Sequence, residues 1–231
     1  MTIKAILFDA GNTLIFMDPQ VILPILEEFG SPADEADFRR AEVEARNRLS
    51  VRVEEGAFGT EPHIWQEYFE NLFLGTGVPE SNLDALGHRI RDVHRERHLW
   101  THMDPETPAA LDRLRELGYR LAVISNADGR VEDLIRDAGI WDRFEFVMDS
   151  EVEGVEKPDP EIFRRACRRL EVEPWECLYV GDLYPVDILG SRKAGLHAVL
   201  LDPLSSLDYP VDRIQSVADL PAYMHRLSPT P

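Results

Sequence analysis

Short, continuous apolar runs that alternate with helical segments constrain the fold of this chain more than any other feature of its sequence. Four such runs follow residue 106, at Leu121–Ile124, Phe144–Met148, Leu178–Val180 and Ala198–Leu201. These runs are nearly continuous rather than alternating, which is typical of parallel strands covered by helices on both faces. The segments between them have the apolar spacing of amphipathic helices. We therefore expect an α/β protein with a Rossmann-like open parallel sheet and helices on both faces.

The N-terminal run Ile3–Phe8 predicts a fifth strand of the same type, but the chain that follows it is different. Residues 18–98 predict consecutive helices, one of them with an apolar stripe at Trp65, Phe69, Leu72 and Phe73. Within this region, Glu54–Thr60 contains two glycines and predicts a flexible loop.

These patterns predict two domains. Residues 1–16 and 101–231 form the α/β core domain, and residues 17–100 form an all-helical domain inserted after the first strand.

Composition and charge exclude several classes of partner. Acidic residues outnumber basic residues 43 to 25, and the net charge of −18 disfavours binding to nucleic acid or to an anionic membrane. No apolar run approaches the roughly 20 residues that span a bilayer. The two cysteines, Cys167 and Cys177, have neither the spacing nor the number of a disulfide framework or a thiolate zinc site. We expect a cytoplasmic protein, and the sequence leaves open whether it is a monomer or a dimer.

Polar residues follow several of the predicted strands at the point where each strand ends. Asp9 follows the first strand, Ser125 the second, and Asp182 a later one, with Asp187 five residues beyond it. In open parallel sheets, ligands bind at the carboxyl ends of the strands. Carboxylates gathered there repel one another unless they are protonated or bind a cation, and oxygen ligands favour Mg²⁺. Lys157, in a nearby loop, would complete an anion site suited to phosphate.

The segments that carry these residues resemble the four ordered motifs of the haloacid dehalogenase-like (HAD) hydrolase superfamily. They are Phe8–Leu14, Ile124–Asn126, Lys157–Pro160, and Val180–Asp182 with Asp187. The resemblance covers nearly the whole chain, and the helical insert resembles the type 1 cap of subfamily I. It implies a Mg²⁺-dependent hydrolase, most often a phosphatase of a small phosphorylated metabolite, that acts through an aspartyl-phosphate on Asp9.

The resemblance also implies the members of the site. They are the catalytic residues Asp9, Ser125 and Lys157, the phosphate-binding residues Ala10, Gly11, Thr13, Ser125, Asn126 and Lys157, and the metal ligands Asp9, Gly11, Asp182 and Asp187. Gly11 would bind the metal through its backbone carbonyl, and Thr13 would brace the first loop.

One position departs from the family pattern. Phosphatases of this family usually have a second aspartate two residues after the nucleophile as general acid and base, and here that residue is Gly11. Two alternatives therefore stay open: a metal-independent haloacid dehalogenase, against which Asp182 argues, and a catalytically weak protein that binds a ligand or partner. A phosphonatase would need a lysine in the cap, and all three lysines lie outside it, at Lys4, Lys157 and Lys193.

Two further patterns have simpler interpretations. His94, His98 and His102 are spaced by four, but no acid or cysteine completes a metal site, and we interpret them as part of a solvated face. Asp128 precedes Gly129 and a helical stripe, which predicts a helix N-cap rather than the missing acid.

Overall fold

The computed structural model describes residues 2–54, 62–205 and 208–227, without the side chains of residues 62 and 63. It divides the chain into two compact units, which we call the core unit (residues 1–15 and 103–231) and the helical unit (residues 16–102). The segment predicted to be a flexible loop lies, beyond Glu54, outside the described residues.

Eight strands are present in the described part of the chain. They are β1 (Ala5–Phe8), β2 (Phe16–Met17), β3 (Trp100–His102), β4 (Arg120–Ser125), β5 (Val147–Asp149), β6 (Cys177–Gly181), β7 (His197–Leu201) and β8 (Arg213–Ile214). The helices are α1 (Pro19–Glu28), α2 (Glu35–Glu54), α3 (Pro62–Gly75), α4 (Leu83–Glu96), α5 (Thr107–Glu116), α6 (Val131–Asp137), α7 (Ser150–Glu153), α8 (Pro160–Arg169), α9 (Leu189–Ala194) and α10 (Leu220–Leu227).

The core unit contains a six-stranded parallel sheet with the order β5-β4-β1-β6-β7-β8. Strand β1 lies between β4 and β6, so that Phe8 is beside Val123 on one side and Val180 on the other. All four residues of β1 and all five of β6 are buried, as continuous apolar runs require when both faces of a sheet are covered. The predicted fold class, a Rossmann-like parallel sheet with helices, is confirmed.

One predicted strand is displaced along the chain. The run Phe144–Met148 predicts a strand, whereas β5 spans Val147–Asp149. A single turn of 3₁₀ helix at Trp141–Arg143 comes first, and the amide of Phe144 donates to the carbonyl of Trp141. Phe144 and Phe146 are buried all the same, which is why their apolar character does not distinguish the turn from the strand.

The helical unit contains α1 to α4 and the short antiparallel pair of β2 and β3. Its apolar stripe on α3 matches the predicted one in part: Leu72 and Phe73 are buried as predicted, while Trp65 and Phe69 are half-buried. Ile64 and Tyr68 are buried in addition. The rings of Trp65 and Phe69 pack against Trp100 of β3, at centroid distances of 6.3 Å each. Trp65 and Phe69 therefore lie at the margin of the buried face of α3, and Tyr68 and Phe73 lie inside it.

Among the described residues, no helix combines the length and the apolar character that crossing a membrane requires.

Candidate active site

The candidate site lies in the core unit, where the carboxyl ends of three neighbouring strands meet. Asp9 follows β1, Ser125 ends β4, and Asp182 follows β6. Because β1 lies between β4 and β6, Asp9 occupies the middle of this edge. Its amide donates to the carbonyl of Val180 at 2.8 Å, which extends the sheet by one residue and holds the Asp9 backbone in place.

Lys157 is the centre of the hydrogen-bond network at this edge. Its Nζ donates to Asp9 Oδ1 at 2.6 Å, to Asp187 Oδ1 at 2.7 Å, and to the hydroxyl of Tyr179 at 3.0 Å. The residue is only 2% exposed. Burial disfavours its charged form, but the carboxylates of Asp187 and Asp9 outweigh burial and raise the pKa of Lys157 well above its ordinary value. The lysine is therefore a buried cation.

The carboxylates of Asp9, Asp182 and Asp187 form a buried cluster, which we call the acidic cluster. One oxygen from each lies within 4.8 Å of the others. Burial raises the pKa of Asp9 to about 6, against the opposing attraction of Lys157, and the charge of Asp187 adds to the rise. Three carboxylates beside one ammonium leave an excess of negative charge at this buried site. Carboxylate oxygens are hard ligands, which Mg²⁺ prefers.

The loop after β1 is held by its own backbone. The carbonyl of Ala10 accepts from the amides of Leu14 at 2.9 Å and Ile15 at 3.0 Å, and Ala10 is fully buried. The Thr13 hydroxyl donates to Asp9 Oδ2 at 3.4 Å. Gly11 is partly exposed. The loop thus orients the Asp9 carboxylate from the side opposite Lys157, as expected of a brace at Thr13.

The loop that carries Lys157 is attached to the end of β4 by Asn126. The Asn126 side chain donates to the carbonyl of Lys157 and accepts from its amide, at 2.8 Å in both directions. The side-chain oxygen and nitrogen of Asn126 thus both form hydrogen bonds to the protein backbone. If Asn126 contacts phosphate, its main-chain amide would make that contact. Ser125 is 4% exposed, and its hydroxyl has no hydrogen-bond partner among the residues that the structure describes.

Asp187 lies in a single π-helical turn, Tyr184–Ile188, directly before α9. It is 1% exposed, and its Oδ2 accepts from the amide of Leu183 at 3.0 Å while Oδ1 accepts from Lys157. Both carboxylate oxygens of Asp187 thus accept hydrogen bonds inside the site.

Gly181 permits the close approach of Asp187. A Cβ atom at position 181 would lie 2.4 Å from Asp187 Cγ, closer than real Cβ contacts allow. We expect Gly181→Ala to lower the melting temperature by roughly 2 to 10 °C, because overpacking costs about 1–3 kcal/mol. Gly87→Ala in α4 is the matched control, since its Cβ would make only an ordinary contact at 3.5 Å. Differential scanning fluorimetry measures both, and equal melting temperatures for wild type and Gly181→Ala would contradict the steric argument.

Two residues that sequence reasoning missed organise this edge. Tyr179, inside β6, contacts Lys157 and also donates to the carbonyl of Ile124 at 3.0 Å. Asp149, at the end of β5, accepts from the amides of Gly129 and Val131 at 3.0 and 3.3 Å. A tyrosine in an otherwise apolar central strand is a signal that could have been used, since a buried phenol hydroxyl usually has a hydrogen-bond partner.

The prediction that Asp128 caps α6 is wrong. The N-cap of α6 is Arg130, without a side-chain cap, and Asp128 instead forms an ion pair with Arg130 at 2.5 Å. The carboxylate of Asp149, from the neighbouring strand, accepts from the amides at this helix start. A sequence pattern around residue 128 cannot show a capping group that is 20 residues away.

His94, His98 and His102, in the helical unit, do not form a solvated face. His94 and His98 are half-buried, with ring centroids 4.3 Å apart, and both pack against Trp100. The Nδ1 of His98 accepts from the amide of Trp100 at 3.2 Å, while His102 lies beside the guanidinium of Arg39 at 3.4 Å. These contacts are those of residues that complete an aromatic cluster.

Comparison with known proteins identifies the family. The sequence model of haloacid dehalogenase-like hydrolases matches residues 3–195. The chain is 30% identical to mouse haloacid dehalogenase-like hydrolase domain-containing protein 3, over 98% of this chain and 93% of that protein. It is 32% identical to a glyceraldehyde 3-phosphate phosphatase of Methanopyrus kandleri, over 94% and 97% of the two chains.

A solved structure agrees with the fold. The putative HAD hydrolase YfnB of Bacillus subtilis, in a magnesium-bound crystal structure, superposes with a TM-score of 0.70 at 20% identity and covers 98% of this chain and 99% of its own. The chain belongs to the haloacid dehalogenase-like hydrolases and is a hydrolase.

Proposed function

We propose that this protein is a Mg²⁺-dependent phosphatase of a small phosphorylated metabolite and that Asp9 is its nucleophile. The observation that carries the proposal is the acidic cluster around Lys157, which joins three carboxylates and one cation in a buried place. Asp9, Asp182, Asp187 and the carbonyl of Gly11 would hold the metal. When bound, the ion would supply positive charge that offsets the charge of the phosphoryl oxygens.

Asp9 has the surroundings that a nucleophilic carboxylate needs. Its Oδ1 is held by Lys157 and its Oδ2 by Thr13, so the group is oriented before substrate binds. In the first step a carboxylate oxygen forms a bond to phosphorus, and the bond from phosphorus to the ester oxygen breaks with its electron pair on the leaving group. In the second step water attacks the same phosphorus, which releases phosphate and restores the carboxylate. Ser125 and Lys157 would hold the phosphoryl oxygens.

The helical unit is the natural candidate for the cap in this proposal. It is inserted after residue 15, directly beyond the loop that carries Asp9 and Thr13. We propose that it selects the substrate. Because the Methanopyrus kandleri relative is named a glyceraldehyde 3-phosphate phosphatase, that triose phosphate is the first natural substrate to test.

The proposal is tested by release of phosphate from p-nitrophenyl phosphate, with and without Mg²⁺. An aryl phosphate has a good leaving group, so its hydrolysis does not depend on the general acid that is missing at position 11. We expect turnover that requires Mg²⁺ and disappears in Asp9→Asn. Turnover that persists in EDTA would contradict the metal requirement. Chloride release from 2-chloropropionate without Mg²⁺ would favour the dehalogenase alternative, and absence of both reactions would favour a binding protein.

Gly11→Asp tests whether the missing acid limits the reaction. General acid–base catalysis contributes about 10²–10⁴-fold. We expect the substitution to accelerate hydrolysis of an alkyl phosphate such as glyceraldehyde 3-phosphate by roughly tenfold or more, and to change hydrolysis of the aryl phosphate little. The ratio of kcat/KM for the two substrates measures the effect independently of enzyme concentration. An unchanged ratio in a folded variant would show that another group already supplies the proton.

A further inference from the structure

The hydroxyl of Tyr179 is a buried polar group that the proposed reaction does not use. Tyr179 lies within β6 and is fully buried. Its oxygen accepts a hydrogen bond from Lys157 Nζ at 3.0 Å and donates one to the carbonyl of Ile124 at 3.0 Å. Ile124 directly precedes Ser125 at the end of β4. The hydroxyl therefore connects the lysine to two of the three strands that form the site.

The direction of these two hydrogen bonds is determined by their partners. A carbonyl can only accept, so the single hydroxyl proton of Tyr179 points to Ile124. A lone pair of the oxygen is then left to face the ammonium, which can only donate. The backbone of β4 thus keeps the hydroxyl in the one orientation that accepts from Lys157.

All three protons of the Lys157 ammonium have an acceptor. Asp9, Asp187 and Tyr179 take one each, at 2.6, 2.7 and 3.0 Å. Three acceptors fix both the position of Nζ and the rotation of its tetrahedral group. Of the three, Asp9 and Asp187 are proposed metal ligands, whereas Tyr179 is uncharged and lies outside that set. The hydrogen bond between Tyr179 and Lys157 is therefore the one that does not depend on how Asp9 and Asp187 divide their oxygens between the lysine and the metal.

We propose that Tyr179 is a positioning residue that holds the ammonium of Lys157 beside Asp9. The catalytic part of this inference rests on the proposed function, and the structural part does not. Burial raises the pKa of Tyr179 well above its ordinary value, so the phenol stays protonated and neutral beside the lysine. A neutral acceptor orients the cation without adding to the negative charge that already surrounds it.

The first test observes Lys157 directly in the free protein. The chain has only three lysines, at positions 4, 157 and 193, so ¹⁵Nζ-lysine labelling yields three ammonium signals. Lys4 and Lys193 are exposed and Lys157 is buried, so we expect the ammonium protons of Lys157 to exchange most slowly with water. We expect Tyr179→Phe to shift this signal and to accelerate its exchange about tenfold or more, since a hydrogen bond to a charged group is lost. The aromatic ring, 5.5 Å from Nζ at its centroid, remains.

Tyr223→Phe is the matched control. Tyr223 is also buried in the core unit, and its hydroxyl donates to Asp212 Oδ2 at 3.0 Å. The Tyr223→Phe substitution removes the same hydroxyl oxygen and one hydrogen bond, at a position away from the site. We expect it to leave the Lys157 signal unchanged, so that a change seen only in Tyr179→Phe reports on the position of the hydroxyl and not on the loss of a buried hydroxyl as such.

The second test measures turnover of p-nitrophenyl phosphate. We expect Tyr179→Phe to lower kcat about 10- to 100-fold, and Tyr223→Phe to change it less than about twofold. An unchanged Lys157 signal in Tyr179→Phe, or equal losses of kcat in both variants, would overturn the inference. If the wild type shows no phosphatase activity but the Lys157 signal still depends on Tyr179, the proposed function fails and the positioning of the lysine stands.

Discussion

Asp9→Asn is expected to abolish turnover and, in the same variant, to raise the melting temperature of the metal-free protein. The carboxylate of Asp9 is buried beside Asp182 and Asp187, and burial raises its pKa from 3.8 to about 6. Folding therefore disfavours its ionised form, and an asparagine of the same shape removes that cost. Activity and stability are expected to oppose each other at this residue, because the proposed nucleophile needs a charge that the fold disfavours.

The gain in stability of Asp9→Asn depends on pH with a definite sign. The pKa of Asp9 is higher in the folded than in the unfolded protein, so burying its ionised carboxylate lowers the free energy of unfolding. This loss of stability is absent below about pH 4, grows between pH 4 and 6, and is complete above pH 6. One pKa unit corresponds to about 1.4 kcal/mol, so the full penalty is roughly 3 kcal/mol, or about 5–10 °C in melting temperature. We expect the gain in Asp9→Asn to be full at pH 7.5 and about half as large at pH 5.0.

Scanning calorimetry in EDTA at the two pH values measures this difference. Asp112→Asn is the control, because its side chain is 48% exposed and pairs with Arg143 at the surface. It should show no gain at either pH. A melting temperature of Asp9→Asn below that of the wild type at pH 7.5 would mean that the hydrogen bonds from Lys157 and Thr13 outweigh the burial of the charge.

Lys157→Met is expected to have the opposite effect on stability. Lys157 contacts two of the three carboxylates of the acidic cluster, and removing one partner of a buried ion pair costs about 3–5 kcal/mol. We expect the melting temperature of the metal-free variant to fall by roughly 10 °C and kcat to fall by about 10²-fold or more. Mg²⁺ should restore part of the lost stability, because a divalent cation replaces the missing positive charge.

Lys193→Met provides the control for this experiment. Lys193 is exposed on α9 and lies outside the acidic cluster, so its replacement should change neither melting temperature nor kcat. Thermal denaturation of both variants, with EDTA and with 10 mM Mg²⁺, compares the two positions under the same conditions. Equal stability of Lys157→Met and the wild type in EDTA would show that the carboxylates are neutralised by protons rather than by the lysine.

The sequence predicted long and strongly patterned elements well and short ones poorly. Strands β1, β4, β6 and β7 of the core were visible because each contains at least three consecutive apolar residues. Strands β2 and β8 have two residues each, too few to show a period, and they exist because their backbones pair with distant parts of the chain. The stripe on α3 was predicted correctly at Leu72 and Phe73 but not at Trp65 and Phe69. In a helix rich in aromatic residues, size does not show which ring faces inward.

The candidate site shows the same division between local pattern and long-range contact. The strand ends could be identified from sequence because a polar residue after an apolar run is a local signal, as at Asp9 and Asp182. The hydrogen-bond partners of Tyr179 and Asp149 could not, because each partner lies in a loop or strand 20 or more residues away.

The sequence by itself determined the α/β class, the helical insert and the identity of the polar residues that end the strands, because these follow from periodicity and from residue chemistry over a few positions. The tertiary structure alone decided that Asp9 lies between β4 and β6 and that Lys157, 148 residues away, donates to it. Strand order and loop closure set such contacts, and no local pattern encodes them. The same physical reason explains Gly181, whose missing side chain makes room for Asp187 only once the loop after β6 has folded back.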